Sequence, residues 1–419
     1  MKQVNLLTDS PRRLFFHYLG PTIGSSMVTS IYILADTIMV GQGVGDAGLA
    51  ALTIFMPIVA SFFALGLLLG VGGGVLMSVA KGSGNESLAH KYFSTAMISA
   101  AVVSVCFAVF GAIFFDQMMY TLGADTTNIE LVRGYGLCYT VSAPLFIFSS
   151  SLQSFIRNDK SPRHAMIAVL TGSGLNILLD YLFIFVFKMG MFGASFATSI
   201  GTSITVCILV IHFFTKKNTM RFSFRFFSIK ALWEIAKCGF SSFLIECANA
   251  VLVFVFNHTL LKYIGSVGVT VYSIMSNVAV VCMSLFNGVT LAAQPIIATN
   301  HGADNHKRVL QVQHIGTITS SVIAVIIFCV GFFFPDLLIY SYVKGPTPEI
   351  LELARYALRI YFFAYLFMNF NIFFSGYFQS TLRPVAAITI QILRSLLLSS
   401  VLVSVLPMIF GADAIWYAV

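Results

Sequence analysis

Charged residues are scarce in this 419-residue chain, which is 10% charged and 58% hydrophobic. Soluble globular domains average about 25% charged residues. A chain with so little charge and so much apolar surface is not a soluble domain, and its composition indicates a membrane protein that crosses the bilayer many times. The net charge of +8 does not indicate a nucleic-acid partner here, because Lys and Arg accumulate in the cytoplasmic loops of membrane proteins.

Motifs of catalysis and of cofactor binding are also missing. The sequence has no HExxH, no Walker sequence and no recognisable nucleophile–base pair. Its seven Cys residues lie almost wholly in apolar runs without CxxC spacing. That pattern is typical of small buried side chains and not of disulfides or metal ligands. We therefore expect neither an enzyme nor a bound cofactor.

Long apolar runs occupy most of the chain and predict eleven complete membrane-spanning helices. Their predicted ranges are 14–40, 49–79, 92–115, 132–157, 163–187, 191–214, 234–262, 267–299, 310–334, 351–379 and 384–409. A twelfth helix begins near Asp413 and is cut short, so we expect the natural chain to continue beyond Val419. Four prolines inside the spans are predicted bend points: Pro21, Pro57, Pro144 and Pro295.

Basic residues predict the orientation of the chain. Seventeen Lys and Arg residues lie in the amino-terminal tail and the even-numbered loops, and six lie in the odd-numbered loops and their flanks. The amino terminus and the basic segment 215–230 are therefore predicted to face the cytoplasm. That segment also separates the predicted amino-terminal lobe, 1–214, from the carboxy-terminal lobe, 231–419.

The two halves resemble each other. A shift of 220 residues places Asn85 on Asn305 and Asp116 on Asp336, and MFGA at 191–194 aligns with IFGA at 409–412. Six spans in each half make the repeats parallel, which relates them by a pseudo-two-fold axis along the membrane normal. The predicted fold is an all-α membrane protein of two six-helix lobes.

Four charged residues lie deep in the predicted spans: Asp36, Asp180, Glu246 and Arg394. A charge at membrane depth costs about 2.5–3.5 kcal/mol on insertion scales, so such a group normally faces a partner, an ion or water. Three acids against one base leave an excess of negative charge, which a cation pathway needs. The alternative is that each acid is a structural group bonded to a neighbouring helix.

A set of oxygen ligands is predicted around two of these acids. Asn176 lies one helical turn before Asp180, and Thr198 lies one turn after Ala194, so each pair shares a helix face. Together with Asp36 they supply oxygen atoms and no basic ligand. That donor set suits Na⁺ or a proton and not a soft metal.

Apolar and flexible side chains of the second half are candidates for an adaptable substrate cavity. These candidates are Met275, Met283, Phe286 and Met368.

Several stretches together resemble the MATE (multidrug and toxic compound extrusion) transporters over essentially the whole chain. The stretches are Pro21 with ADTIMVG, Gln153–Arg157–Pro162, NILLD, GASFAT, Glu246, and Gln294–Pro295 before NHGA. The resemblance implies a central cleft between the lobes and export of cationic, lipophilic compounds driven by Na⁺ or H⁺.

The resemblance also implies residue roles. It gives Asp36, Asn176, Asp180, Ala194 and Thr198 as a cation site in the amino-terminal lobe, and Glu246 as a residue that couples ion and drug. Some members carry an acid in the tenth helix, where this chain has Met368 and Asn369. Without that acid, a Na⁺ site in the carboxy-terminal lobe is less expected, and the cation site in the amino-terminal lobe is favoured. We expect a monomer in the cell membrane.

Three other classes compete with this interpretation. A lipid-linked oligosaccharide flippase would need several basic residues in the cleft to hold phosphates, and only Arg394 is clearly embedded. An intramembrane enzyme would need the catalytic groups that are missing. A channel would not need two matched halves with titratable acids.

Overall fold

A computed structural model describes residues 4–342 and 345–418, without the side chains of residues 250, 395 and 396. Helices make up most of the described residues, and short turns and loops join them. The α-helices are α1 (Pro11–Gly43), α2 (Asp46–Gly82), α3 (Glu86–Ile113), α4 (Phe115–Thr121), α5 (Ile129–Val141), α6 (Ala143–Asn158), α7 (Pro162–Asp180), α8 (Gly190–Ile211), α9 (Ile229–Tyr263), α10 (Ser266–Gly302), α11 (His306–Phe333), α12 (Pro335–Tyr342), α13 (Pro348–Ser380), α14 (Pro384–Gln391) and α15 (Ser399–Phe410). Two π-helical segments, Tyr181–Val186 and Ile392–Leu398, continue α7 and join α14 to α15.

The predicted spans are confirmed by the helices. Among the described residues, ten spans are long and apolar enough to cross a membrane, and the bent pair α5–α6 makes an eleventh. The members of this pair meet at 52°, and Pro144 is the second residue of α6. Because proline has no N–H to continue the preceding helix, the predicted bend is found there. In contrast, α1, α2 and α10 continue through Pro21, Pro57 and Pro295.

The predicted start of a twelfth helix is a short 3₁₀ helix, Ala412–Ala418, within the described residues. Trp416 in this segment is fully buried and packs in the carboxy-terminal core. The last turn before Val419 is therefore anchored to the second half of the chain.

Matched caps and ion pairs mark the two halves. Asn85 caps α3 by accepting a hydrogen bond from the Leu88 N–H, and Asn305 caps α11 in the same way from Arg308. After α3 and after α11, the short helices α4 and α12 each carry an Asp that pairs with an Arg of the next helix. These pairs are Asp116–Arg133, at 2.5 Å, and Asp336–Arg355, at 2.6 Å.

The first helix of each half packs into the core of the other half. At the start of α1, Leu14 and Phe15 join a core formed with α10 and α11. At the start of α9, Ile235 and Cys238 join the core of the first half. The halves are thus interlocked at the end of the bundle that carries the amino terminus and residues 215–228, which we call the linker end.

Glycines bring the two halves into backbone contact at the linker end. A Cβ atom on Gly82 would lie 2.0 Å from the Thr299 carbonyl oxygen, and one on Gly302 would lie 2.0 Å from that of Val79. Small residues of this kind allow helices in membranes to pack closely. The linker end of the interface between α2 and α10 is therefore closed in this conformation.

Candidate functional site

Two carboxylates face each other's helices in the first half, away from the linker end. Asp36 of α1 is 8% exposed and Asp180 at the end of α7 is fully buried, and α1 packs along α7. The two groups lie within range of each other's charge. Neither forms an ion pair with a basic residue in the described part of the chain. Two buried acids without a basic partner are costly to keep ionised, which favours an ion or a proton as the missing partner.

Close packing of α7 on α8 positions the remaining predicted ligands. A Cβ atom on Gly172 would lie 2.5 Å from the Gly201 carbonyl oxygen, and one on Gly201 would lie 2.9 Å from the Cβ of Asn176. At this separation the Asn176 Nδ2 donates a hydrogen bond of 3.3 Å to the Thr198 Oγ1. The Thr198 hydroxyl in turn donates to the Ala194 carbonyl oxygen at 3.0 Å. The contact between glycines is therefore what brings α8 to the acids.

The unused atoms of this site are all hydrogen-bond acceptors. Four buried oxygens have no partner within the described residues: Asp36 Oδ1, Asn176 Oδ1, Asp180 Oδ1 and Asp180 Oδ2. Buried polar atoms in native proteins are nearly always bonded, so such a group of orphans calls for an explanation. Carboxylate and amide oxygens are ligands that small hard cations take, and a carboxylate also takes a proton. The arrangement can hold a monovalent cation or a proton.

An irregular backbone follows directly after Asp180. Residues Tyr181–Val186 form a π-helix, which is rare and often found at functional sites. The end of α1 approaches it so closely that a Cβ on Gly43 would lie 2.1 Å from Ile184. The segment thus links the carboxylate of α7 to the end of the helix that carries Asp36.

Three tyrosines near the acids were not predicted from the sequence. Tyr32 and Tyr135 lie within electrostatic range of both Asp36 and Asp180. On α5, the ring of Tyr135 stacks on that of Tyr139, with centroids 5.6 Å apart. The sequence gives only weak signals of these three tyrosines. Tyr32 lies one helical turn before Asp36, and Tyr135 lies one turn before Tyr139.

The predicted residues of the second half do not join this site. Glu246 is half-buried on α9 and has no ion pair with Arg394 in the described structure. Asn369 is buried on α13, where its Nδ2 donates to the Tyr365 and Leu366 carbonyl oxygens of its own helix.

The apolar candidates of the second half belong to its core in this conformation. Met275 and Phe286 are each 1% exposed and lie inside that core, so here they do not line an open cavity. Met283 and Met368 are partly buried against it. Pro21 lies within α1, and the next residue, Thr22, donates a hydrogen bond of 2.7 Å to the Gly288 carbonyl oxygen of α10.

A second polar cluster at the linker end is structural. Asp159, in the loop after α6, is fully buried and pairs with Lys81 of α2 and with His212 after α8. It also accepts a hydrogen bond of 3.0 Å from the Thr219 N–H of the linker. Burial alone would raise the pKa of Asp159, but these hydrogen bonds and the Lys81 charge lower the pKa below its usual value. The cluster fastens residues 215–220 to the first half.

Comparisons with known proteins agree with this fold. The MatE family model matches the chain twice, at residues 21–182 and 238–405. The chain is 26% identical over 407 residues to the multidrug export protein MepA of Staphylococcus haemolyticus, covering 96% of this chain and 89% of that protein. It is 23% identical over 415 residues to MepA of Staphylococcus aureus, with the same coverage of both chains.

Solved structures show the same architecture. The outward-facing conformation of a multidrug resistance MATE transporter of the MOP superfamily superposes with a TM-score of 0.93 at 22% identity, covering 100% of this chain and 94% of that one. A MOP superfamily transporter from Pyrococcus furiosus, reported to have a binding pocket of reversed polarity, superposes with a TM-score of 0.92 at 22% identity and the same coverage. The family model covers most of both halves, and the chain therefore belongs to the MatE family, the MATE transporters.

Proposed function

We propose that this protein is a multidrug exporter that exchanges lipophilic cations for H⁺ or Na⁺. The observation that carries the proposal is the group of four unpartnered acceptor oxygens on Asp36, Asn176 and Asp180. The multidrug export named for the MepA relatives supports the same class of activity. A flippase for lipid-linked oligosaccharides is less well supported, because Arg394 is the only basic residue near the middle of a described span.

In the proposed cycle, the ionised acids attract a cation at the cost of losing water. Binding of H⁺ or Na⁺ neutralises the site, so that α1, α7 and α8 pack more closely and Pro21 gives α1 a place to bend. A ligand shifts such an equilibrium only through its different affinities for the two states. The ion and the drug must therefore prefer opposite states, which makes the exchange obligatory.

The orientation is proposed from the basic residues. With the linker end in the cytoplasm, the closed contact of α2 with α10 faces inward. A single Cys placed at the exposed Lys216 should then resist an impermeant thiol reagent added to intact cells. Efficient labelling would show that the linker faces the outside of the cell and would contradict the proposed orientation. The protein is proposed to act as a monomer in the cell membrane, with lobes 1–214 and 231–419 joined by 215–230.

Glu246 is proposed to act on the substrate side of the exchange, since it lies near the middle of the α9 span, whereas the other acid of that helix, Glu234, lies near its start. An adaptable wall of the substrate cavity would form once the second half opens. Its proposed residues are Met283, Met368, Met275, Phe286 and Asn369. Glu246→Gln removes the charge with little change of shape and should narrow the range of exported cations. Unchanged export of several cations would reduce Glu246 to a packing residue.

The coupling itself is tested in inverted membrane vesicles under an imposed Na⁺ or H⁺ gradient. Asp36→Asn should abolish gradient-driven uptake of a lipophilic cation while leaving part of its equilibrium binding. Asp116→Asn, which alters an exposed ion pair away from the site, is the matched control and should transport normally. Wild-type rates in Asp36→Asn would refute the mechanism.

A further inference from the structure

The only two π-helical segments among the described residues lie in helices that correspond between the halves. One follows Asp180 in the span Pro162–Val186, and the other contains Arg394 in the span Pro384–Phe410. The first span carries the acid Asp180 directly before its π-helical segment, and the second carries the base Arg394 inside its own. The corresponding helices therefore have charges of opposite sign at their irregular segments.

Arg394 lies at membrane depth without a counter-charge. It is ten residues after Pro384, which places it about 15 Å into the span at 1.5 Å per residue. The Arg394 Nη1 is buried and has no hydrogen-bond partner in the described structure. Neither Glu246 nor any other described acid pairs with it. Arg394 as a whole is half-buried, and a charge at membrane depth is normally paired, so this one lacks its partner.

The groups around Arg394 include a second free donor. The guanidinium lies within electrostatic range of Tyr361 and Tyr365 of α13, whose rings are 5.1 Å apart. Both tyrosines are buried, and the Tyr365 hydroxyl, which lies close to Tyr361 and Cys282, makes no hydrogen bond of normal geometry. Gln391, three residues before Arg394, donates a hydrogen bond from its Nε2 to the Ser375 Oγ at 3.0 Å, and its Oε1 is buried without a partner. The free atoms here therefore include the donors Arg394 Nη1 and Tyr365 Oη, whereas the free atoms of the amino-terminal site are acceptors.

We propose that Arg394 and Tyr365 form an anion site inside the carboxy-terminal lobe. Its ligand is a monovalent anion, either chloride or the carboxylate of a zwitterionic substrate. An anion there would accept hydrogen bonds from the guanidinium and the phenol and would neutralise the buried charge. The site is a second ligand site, and it adds to the proposed cation exchange without depending on it.

The first arm of the test uses chloride and the purified full-length protein. The thermal midpoint is measured as choline chloride replaces choline methanesulfonate, whose anion is bulky and is not a carboxylate, at constant ionic strength. A ligand that binds only the folded state raises the midpoint in a saturable way. We expect this rise in the wild type, its loss in Arg394→Gln, and its retention in Arg359→Gln. Arg359 is the matched control, since it is an exposed arginine of the same lobe that lies over the Phe332 ring.

The second arm uses a substrate carboxylate. Rhodamine 110 carries a free carboxyl group, and rhodamine 123 is its methyl ester. If the site holds the carboxylate of a substrate, Arg394→Gln should lower the export of rhodamine 110 relative to rhodamine 123 by about tenfold, as for the loss of one charge-assisted hydrogen bond. Arg359→Gln should leave the ratio unchanged.

Either positive arm supports the site and identifies the source of the anion. If the wild type shows no response to chloride and Arg394→Gln leaves the dye ratio unchanged, the proposal is overturned. Should Arg394→Gln fail to fold, Gln391→Glu supplies a carboxylate three residues away and should fold without a response to chloride. A full chloride response in Gln391→Glu would also overturn the proposal. Asp180→Asn separates the two sites, because it should stop export and keep the chloride response.

Discussion

At the scale of single residues, the acids of the first half are a compromise between stability and function. Asp36 and Asp180 are buried with free oxygens and have no basic partner in the described structure. A packing role would favour satisfied hydrogen bonds, because each unpaired buried polar group lowers the free energy of unfolding. These free oxygens therefore support the proposal that the site binds an ion reversibly.

The first prediction is that Asp180→Asn stabilises the ion-free protein while it abolishes export. Replacing a buried unpaired carboxylate by an amide removes a desolvation cost, and we expect a gain of at least about 1 kcal/mol, or about 1 °C in the thermal midpoint of a chain of this length. The midpoint in Na⁺-free buffer is the measurement. The control Asp116→Asn should shift it little, because it loses only an exposed ion pair. A lower midpoint in Asp180→Asn would indicate a structural carboxylate.

The second prediction concerns Asp159 and pH. Its pKa is lower in the folded protein than in the unfolded chain, so its contribution to stability is fully present above about pH 4 and is lost as the pH falls through the folded-state pKa. Asp159→Asn should cost about 3 kcal/mol near neutral pH, because it leaves Lys81 and His212 buried without their partner. The difference in midpoint between the variant and the wild type should be constant from about pH 7 to 5 and shrink below about pH 4. A difference that grows on acidification would contradict this assignment.

At the scale of helices, the contact of α7 with α8 sets the geometry of the site. Gly172 and Gly201 leave no room for a side chain between the two backbones, and Asn176 lies one turn further along the same face. The spacing of Asn176, Asp180, Ala194 and Thr198 could be predicted from the sequence, because residues four apart share a face of a helix. The distance between the two helices could not, because it depends on which glycines meet.

Two further features of the site also needed the structure. The sequence of Tyr181–Val186 is an apolar run that would equally suit an α-helix. Its π-helical hydrogen bonding depends on packing against the end of α1. Tyr135 reaches the acids from a helix about a hundred residues away from Asp36 in the sequence. Such a contact depends on the tertiary arrangement and leaves no periodic signal in the sequence.

The third prediction tests the helix contact with two neighbouring glycines. In Gly172→Ala the new methyl group would clash with the Gly201 carbonyl oxygen, which should cost about 1–3 kcal/mol and reduce export by separating α7 from α8. Gly174 is the matched control, since a Cβ there has no atom within 4 Å. Gly174→Ala should leave export unchanged and, through helix propensity, stabilise slightly. Equal export by the two variants would show that the close approach is unimportant.

At the scale of the whole molecule, the two halves are held together at the linker end. The sequence predicted the repeat and eleven spans, because caps such as Asn85 and Asn305 and the long apolar runs are local signals. It did not predict that α1 and α9 each begin inside the core of the other half. That exchange explains how the linker end is closed while each half keeps a core of its own.

The fourth prediction uses Cys238, which is 4% exposed beside this contact, as a reporter of closure. A Cβ on Gly239 would lie 2.0 Å from the Leu68 carbonyl oxygen, so Gly239→Val should force the halves apart there. With the other six Cys residues replaced, the rate at which a thiol reagent labels Cys238 should rise about tenfold or more, since 1.4 kcal/mol of destabilisation suffices. Gly20→Val, at a position without neighbours within 4 Å, should leave the rate unchanged. An unchanged rate in Gly239→Val would mean that the contact does not control access.

We propose that one site on α1, α7 and α8 binds the ion that the drug displaces. The release of protons and of radioactive Na⁺ can be measured when the lipophilic cation tetraphenylphosphonium binds to the purified protein. We expect the wild type and Asp116→Asn to release one of these ions on drug binding and Asp180→Asn to release neither. Equal release by Asp180→Asn and the wild type, or no release of either ion by the wild type, would contradict this proposal.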